Sequence, residues 1–210
     1  MAVLVKAWRS GNDGEERTGM AGDTRERMID ATVEALQRRG VAGMSFTEVL
    51  RDSGAARGAI YHHFPGGKGQ LVAEAAARNG CDVRDRFAAL PADDPTTLVE
   101  AFLALVRPVV EASAAGAGCA VAALTVASGE SAENVVLREV AATAFGSWTE
   151  ALADRLHTAG LATPAATDLA TTLLALLEGA HVLCRAAGSI APFDQAARTA
   201  TALTRSGYPG

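Results

Sequence analysis

A chain of 210 residues with 49% hydrophobic and 20% charged side chains, 21 glycines and seven prolines has the make-up of a globular protein. It is long enough to bury roughly 70% of its unfolded surface unaided, and the composition excludes disordered, collagenous and polybasic chains. The net charge of −5 is uneven: residues 1–22 sum to 0, residues 23–80 to +1 and residues 81–210 to −6. A near-neutral segment with clustered arginines can bind a polyanion locally, whereas the acidic remainder repels one and must have another task.

Residues 1–22 show mixed charge, central glycines and no sustained period, which predicts a flexible arm. The opening MAVLVKAWRSG is too short an apolar block for a secretory leader, so a cytoplasmic protein is expected. From Thr24, the recurrence of Ile29, Val33 and Leu36 predicts a helix that Gly40 ends. Ser45-Phe46-Thr47-Glu48 is a capping box, with Met44 and Val49 placed as a hydrophobic staple, and opens a second helix that stops near Gly54. A turn over Ser53 to Ala56 leads into a short helix with Ala56, Ile60 and Phe64 on its core face, ended by Phe64-Pro65-Gly66-Gly67.

Beyond Lys68 the pattern stays helical. Asp94-Pro95 and Thr163-Pro164 each set a capping side chain before an initial proline, opening stripes of Leu98-Phe102-Leu105-Val109 and Leu169-Leu173-Leu176-Ala180. Between them fall a shorter helix from about Cys119 to Ala127 and a long one from about Ser131 to His157; Gly160 and Gly188 mark helix ends. With no alternating β-branched segment the expected fold is all-α: an arm at 1–22, a helix-turn-helix domain at 23–67 and a helical domain at 68–210. Glycines break the longest uncharged stretch, 112–129, so no membrane helix is expected.

Cys81, Cys119 and Cys184 are odd in number and far apart, which predicts buried free thiols; a lone His181-x-x-Cys184 is too little for a metal site. The chain has no GxSxG, Walker loop, HExxH or carboxylate pair beside a histidine, so neither an enzyme nor a cofactor is expected. The helix, glycine-containing turn and short helix from Ser45 to Phe64 instead form a helix-turn-helix, whose second helix fits the DNA major groove. With Ile60 and Phe64 inward, Arg57, Gly58, Tyr61 and His62 project outward as a bidentate donor, a point of close backbone approach and two aromatic hydrogen-bonding groups. The same placement also fits two ordinary polar surface residues at 61 and 62.

The segment TEVLRDSGAARGAIYHHF at 47–64, followed by PGGKGQL at 65–71, closely resembles the DNA-binding signature of the TetR family of bacterial transcriptional regulators. More loosely, GCAVAAL at 118–124, the stretch from Leu137-Arg138 to Phe145-Gly146-Ser147-Trp148 and Leu177-Glu178-Gly179-Ala180 are similar to its LmrA/YxaF-like branch. The resemblance implies a homodimer that binds double-stranded palindromic operator DNA, usually represses a neighbouring gene, and lets go when a small-molecule effector enters the C-terminal domain. It places Thr47, Tyr61, His63 and Lys68 at phosphate-contacting positions and Arg57, Gly58 and His62 at base-facing ones. Ala56 departs from the family, which commonly has Ser or Thr at the cap of the recognition helix.

In such a fold the acidic C-terminal part must form a dimer interface and enclose a ligand. The small residues Ala175, Gly179, Ala186 and Ala197 on the last two helices suit close packing between chains, and equally a tight core within one chain. Phe87, Phe102, Phe145, Trp148, Glu178 and His181 are the candidate lining of a pocket for an apolar or aromatic effector, and Pro108 is a candidate kink beside it. Aromatics at helical spacing are also the ordinary content of a core, and Glu178 or His181 also suits an interface. A redox or metal sensor acting through Cys119 or Cys184 is the alternative source of the signal.

Overall fold

The structure, a computed structural model, describes residues 20–91, 93–126 and 131–206, with side chains from residue 24 on. The described residues form α1 (Met20–Gly43), α2 (Phe46–Ser53), α3 (Ala59–His63), α4 (Gly67–Ala88), α5 (Pro95–Ala114), α6 (Ala132–Thr158), α7 (Thr163–Ala187) and α8 (Ala191–Arg205). A 3-10 turn lies at Ala122–Leu124, and no strand occurs among the described residues, so the fold is all-α. Most of the expected arm, residues 1–19 with Trp8, lies outside the described residues; its last residues, from Met20, already belong to α1. By their contacts the described residues form two compact units, one up to Asn79 with 119–142, the other from Gly80 to Gly118 and from Thr143 on. The division falls inside α4, whereas the sequence sets it at residue 67.

In the first unit, α1 buries Met28, Ile29, Thr32, Ala35 and Leu36, and the Thr32 hydroxyl donates to Met28 O at 2.7 Å. Gly40 breaks the helix in the left-handed region at φ 67°, where a side chain would be strained. The box at Ser45 is half formed. Ser45 Oγ accepts from Glu48 N at 3.3 Å, while the Glu48 carboxylate takes the Ser45 hydroxyl at 3.2 Å and the Arg39 guanidinium at 2.5 Å. Met44 and Val49 are buried on either side, as a staple requires. Gly54 then adopts φ 66° and donates to Arg51 O, closing α2 as a left-handed cap.

The third helix departs from expectation. Ala56 is exposed and not on the core face; its carbonyl accepts from Ala59 N at 2.9 Å, so the turn continues through Gly58 and α3 has five residues. No side chain caps it, since neither Ala56 nor Gly58 has an oxygen to offer. Ile60 and Phe64, 1% and 0% exposed, hold it down. The Arg25 guanidinium lies over the Phe64 ring at 5.2 Å and pairs with Glu74, which also accepts from Gln70, which in turn accepts from Gly66 N at 2.7 Å. The expected helix over Cys119–Ala127 shrinks to the 3-10 turn, which packs against α1. Cys119 Sγ takes the Ala122 amide at 3.3 Å and Thr125 Oγ1 donates to Ala122 O, local bonds that compete with helix hydrogen bonding.

In the second unit α5, α7 and α8 pack against one another. Asp94 caps α5 by accepting from Thr96 N at 2.9 Å and Thr97 N at 3.0 Å. Thr163 is no cap: Ala162 holds the extended cap position, and Thr163 is the first residue of α7. Pro108 lies exposed within α5, which runs on from Pro95 to Ala114, so the ring and the missing amide face solvent. By length and composition α7 could cross a membrane, contrary to expectation, but its buried Leu169, Leu173 and Leu177 face serves the packing with α5 and α8. Gly160 and Gly188, at φ 109° and 59°, end α6 and α7. Of the three cysteines only Cys184, on the packed face of α7, is buried; Cys81 on α4 is exposed and Cys119, outside the helices, is half-buried.

One polar pair sits in this apolar core: His181 Nδ1 lies 2.6 Å from Ser113 Oγ, and Ser113 Oγ lies 3.2 Å from Val109 O. Burial, with a smaller contribution from Arg185, pushes the His181 pKa down to about 4 from 6.5. The unfolded chain therefore takes up a proton that the folded chain refuses, and stability falls as pH drops from 6.5 towards 4. The loss approaches something on the order of 3 kcal/mol. Urea unfolding across this window should show it, and His181→Gln should remove the part of the slope that exceeds the background from carboxylates; an unchanged slope would place the titration elsewhere.

Candidate nucleic-acid interface

The burial of Ile60 and Phe64 on one face of α3 leaves the other to solvent. Arg57 and Gly58, in the turn before α3, and Tyr61 and His62 within it are exposed, Tyr61 by 66%. Thr47, in the first turn of α2, is exposed too, while His63 and Lys68 are half-buried. Tyr61 rests edge-on against Phe46 at 6.1 Å, and the His62 and His63 rings stand 5.0 Å apart. Lys68 Nζ donates to Met44 O at 2.8 Å, tying the start of α4 to the entry of α2 and leaving two of its three donors for a phosphate. The structure thus brings all seven expected residues into the α2 to α4 segment.

Charge in this unit is largely committed. Arg25 pairs with Glu74, Arg38 with Glu34, Arg39 with Glu48, Arg51 with Asp52 and Arg78 with Glu26. The Arg51 hydrogen bond holds the Asp52 carboxyl below the usual range. Arg27 donates to Ser53 O at 2.9 Å and Thr24 Oγ1 at 3.1 Å. Arg57, on the exposed face, enters no ion pair or hydrogen bond among the described residues and is open to a base edge. The network of Arg25, Glu74 and Gln70 that positions Gly66 is absent from the sequence reading, because its partners lie up to 49 residues apart.

In the second unit the four aromatic candidate pocket residues form one cluster. Phe87, Phe102 and Trp148 are fully buried, with Phe87 at 5.4 Å from Phe102 and 6.1 Å from Trp148, and half-buried Phe145 stands edge-on to Trp148 at 5.1 Å. Trp148 Nε1 donates to Gly80 O at 2.7 Å. Glu178 has a buried carboxylate oxygen, and His181 meets Ser113, a small polar residue that the apolar stripe of α5 gave no reason to single out. A groove of about 210 Å³ in this unit lies apart from these rings, between Glu150, Asp154 and His157 of α6 and Thr163 and Thr167 of α7. Of the small residues, Ala175 and Ala186 are exposed and Gly179 and Ala197 half-buried. Among the described residues no group of three or more His, Cys, Asp or Glu is placed to hold a metal ion.

A short exposed helix, held on a buried two-residue anchor and entered by Arg57 in the turn before it, is the arrangement of a helix-turn-helix that binds DNA. A profile of bacterial regulatory proteins of the tetR family matches residues 28–75, and one of the C-terminal domain of LmrA/YxaF-like transcriptional regulators matches residues 95–199. An uncharacterized HTH-type transcriptional regulator of Mycobacterium tuberculosis is 32% identical over 175 residues, 81% of this chain and 88% of its own. HTH-type transcriptional regulator LmrA of Bacillus subtilis is 29% identical over 173 residues, 81% and 91% of the two chains. A TetR transcriptional regulator from Chloroflexus aurantiacus superposes with a TM-score of 0.70 at 25% identity, over 88% of this chain and 95% of that one. The chain belongs to the TetR family; it is a transcriptional regulator and not an enzyme.

Arg57 and Lys68 should separate on mutation. Arg57→Ala should cost about 1–3 kcal/mol on a specific site and relax base preference. Lys68→Ala should weaken all duplexes alike and lower the salt slope of binding by about one per protomer. Fluorescence anisotropy on specific and scrambled duplexes at several salt concentrations reads both; the same pattern from both variants would refute the division of roles.

Proposed function

We propose that the protein acts as a homodimeric repressor: two copies place their α2–α3 segments in successive major grooves of a palindromic operator, about 34 Å apart. Thr47, Tyr61, His63 and Lys68 take phosphates; Arg57, Gly58 and His62 face bases. Phosphate contacts set register, and the base-facing group reads sequence. An apolar or aromatic small molecule entering among Phe87, Phe102, Phe145, Trp148, Glu178 and His181 releases the DNA. The apolar rings and a histidine that burial keeps neutral favour an uncharged guest.

The observation that carries the dimer is a row on α7: Ala175, Gly179, Val182, Leu183 and Ala186 share one side, with Val182 67% and Leu183 57% exposed. Exposed apolar side chains interleaved with small ones are costly in water and suit close helix packing against a second copy. Leu203 on α8, 62% exposed, adds to it, and half-buried Ala197 supplies a small residue on the same helix. A Cβ added at Gly179 meets nothing within 4 Å in its own chain, so the protomer leaves room for the start of a side chain there. Gly179→Leu should therefore keep the protomer folded and yield monomer by light scattering, since overpacking costs about 1–3 kcal/mol per site and a two-fold interface carries it twice. A dimer that still binds DNA would place Gly179 outside the interface.

Release requires an effector that binds the DNA-incompetent state more tightly, and by reciprocity DNA must weaken the effector by the same factor. In a Trp8→Phe background an apolar ring compound should change Trp148 fluorescence and weaken DNA binding together. If Trp148→Phe leaves the response intact and Cys119→Ser abolishes it, a thiol sensor replaces the pocket.

A further inference from the structure

Gly69, in the first turn of α4, is a place of close approach: a Cβ built there would lie 2.7 Å from Glu133 Oε1 and 3.1 Å from Glu133 Cδ. Glu133 is the second residue of α6, and both residues belong to the first compact unit. The carboxylate is exposed, and no cation pairs with it among the described residues. Two helix starts converge on it: α6, in whose first turn it sits, and α4, on whose first turn it rests. Each bears partial positive charge from unsatisfied amides. Lys68, beside Gly69, adds a full charge, and Lys68, Gly69, Gln70 and Glu133 line one open groove of about 430 Å³.

We propose that Glu133 sets the affinity for the DNA backbone by placing its carboxylate at the positive end of α4, where it competes with the phosphate that Lys68 takes. The inference rests on the reading of Lys68 as a phosphate contact. A phosphate drawn to this turn meets a negative charge a few ångströms away, and in a water-like medium that repulsion weakens binding by about threefold, fading as salt screens it. Gly69 is what admits the carboxylate. Any side chain there would push it off, at little cost, since the atom displaced is the far end of a flexible, exposed glutamate.

The test uses the full chain and a fluorescent duplex of random sequence, titrated at about 50 and about 200 mM salt. Glu133→Gln should bind about threefold more tightly at the lower salt, with the gain shrinking at the higher. Gly69→Ala, which keeps the charge but displaces it, should give a smaller gain of the same sign. Lys68→Ala, alone and combined with Glu133→Gln, tests the underlying reading: binding unaffected by Lys68→Ala overturns the phosphate contact and the competition with it. If Lys68→Ala weakens binding while Glu133→Gln leaves it unchanged or weaker, the phosphate contact stands and the competition is refuted, weaker binding marking Glu133 as a brace for α4. Circular dichroism confirms that each variant is folded.

Discussion

The exposed face of the helix-turn-helix depends on two buried side chains. A five-residue helix has no stability of its own, because nucleation costs more than so few hydrogen bonds return. Burial of Ile60 and Phe64, each contributing roughly 1.5–3 kcal/mol, holds α3 in place. Since residues four apart share a helix face, the same burial aims Tyr61 and His62 outward and leaves Arg57 and Gly58 at the open entrance of the helix. Around Phe64 runs a chain of polar contacts from Arg25 through Glu74 and Gln70 to the Gly66 amide, which fixes where α4 begins after α3 ends.

That anchoring matters because of how charge is arranged. Taken singly, the exposed ion pairs of this unit add little to stability. Their effect is to neutralise arginines that would otherwise attract any duplex. Arg25, Arg38, Arg39, Arg51 and Arg78 all face carboxylates of the same unit, so from α2 to the first turn of α4 the cations outside these pairs are Arg57 and Lys68. A surface organised in this way gains little from the phosphate backbone in general and depends more on a few placed contacts, which favours discrimination over bulk affinity.

The second unit is organised by apolar contact. Edge-to-face ring pairs contribute about 0.5–1.5 kcal/mol beyond the area they bury, so Phe87 and Phe145 each stabilise Trp148 in its present packing, and Phe102 adds a tilted contact with Phe87. On the proposed reading, a guest entering among them exchanges those contacts for its own, which ties occupancy of the cluster to its rearrangement. The exposed row on α7 has the opposite character: its apolar side chains find no cover within the unit, while Leu169, Leu173 and Leu177 on the buried side pack with α5 and α8.

Helix boundaries were legible wherever a local rule sets them. Ser45, Asp94, Gly54 and Gly188 cap or end helices by interactions within a few residues, and so can be read from spacing alone. The outward display of Tyr61 and His62 was legible for the same reason, once Ile60 and Phe64 marked the inner face. Thr163 and Ala56 were misread because a capping side chain or an apolar residue beside a helix start does not say which residue adopts the cap geometry, and the segment at Cys119 because local bonds to Ala122 outcompeted an alanine-rich pattern. The amino-acid sequence by itself determined the all-α architecture, the helix-turn-helix and the residues on its exposed face, since these follow from periodicity and capping at short range. Only the tertiary structure decided that Ser113 meets His181, that Arg25 reaches Glu74 over the Phe64 ring, and that Glu133 lies on Gly69, because each joins residues far apart in the chain and such contacts arise only when separate helices pack.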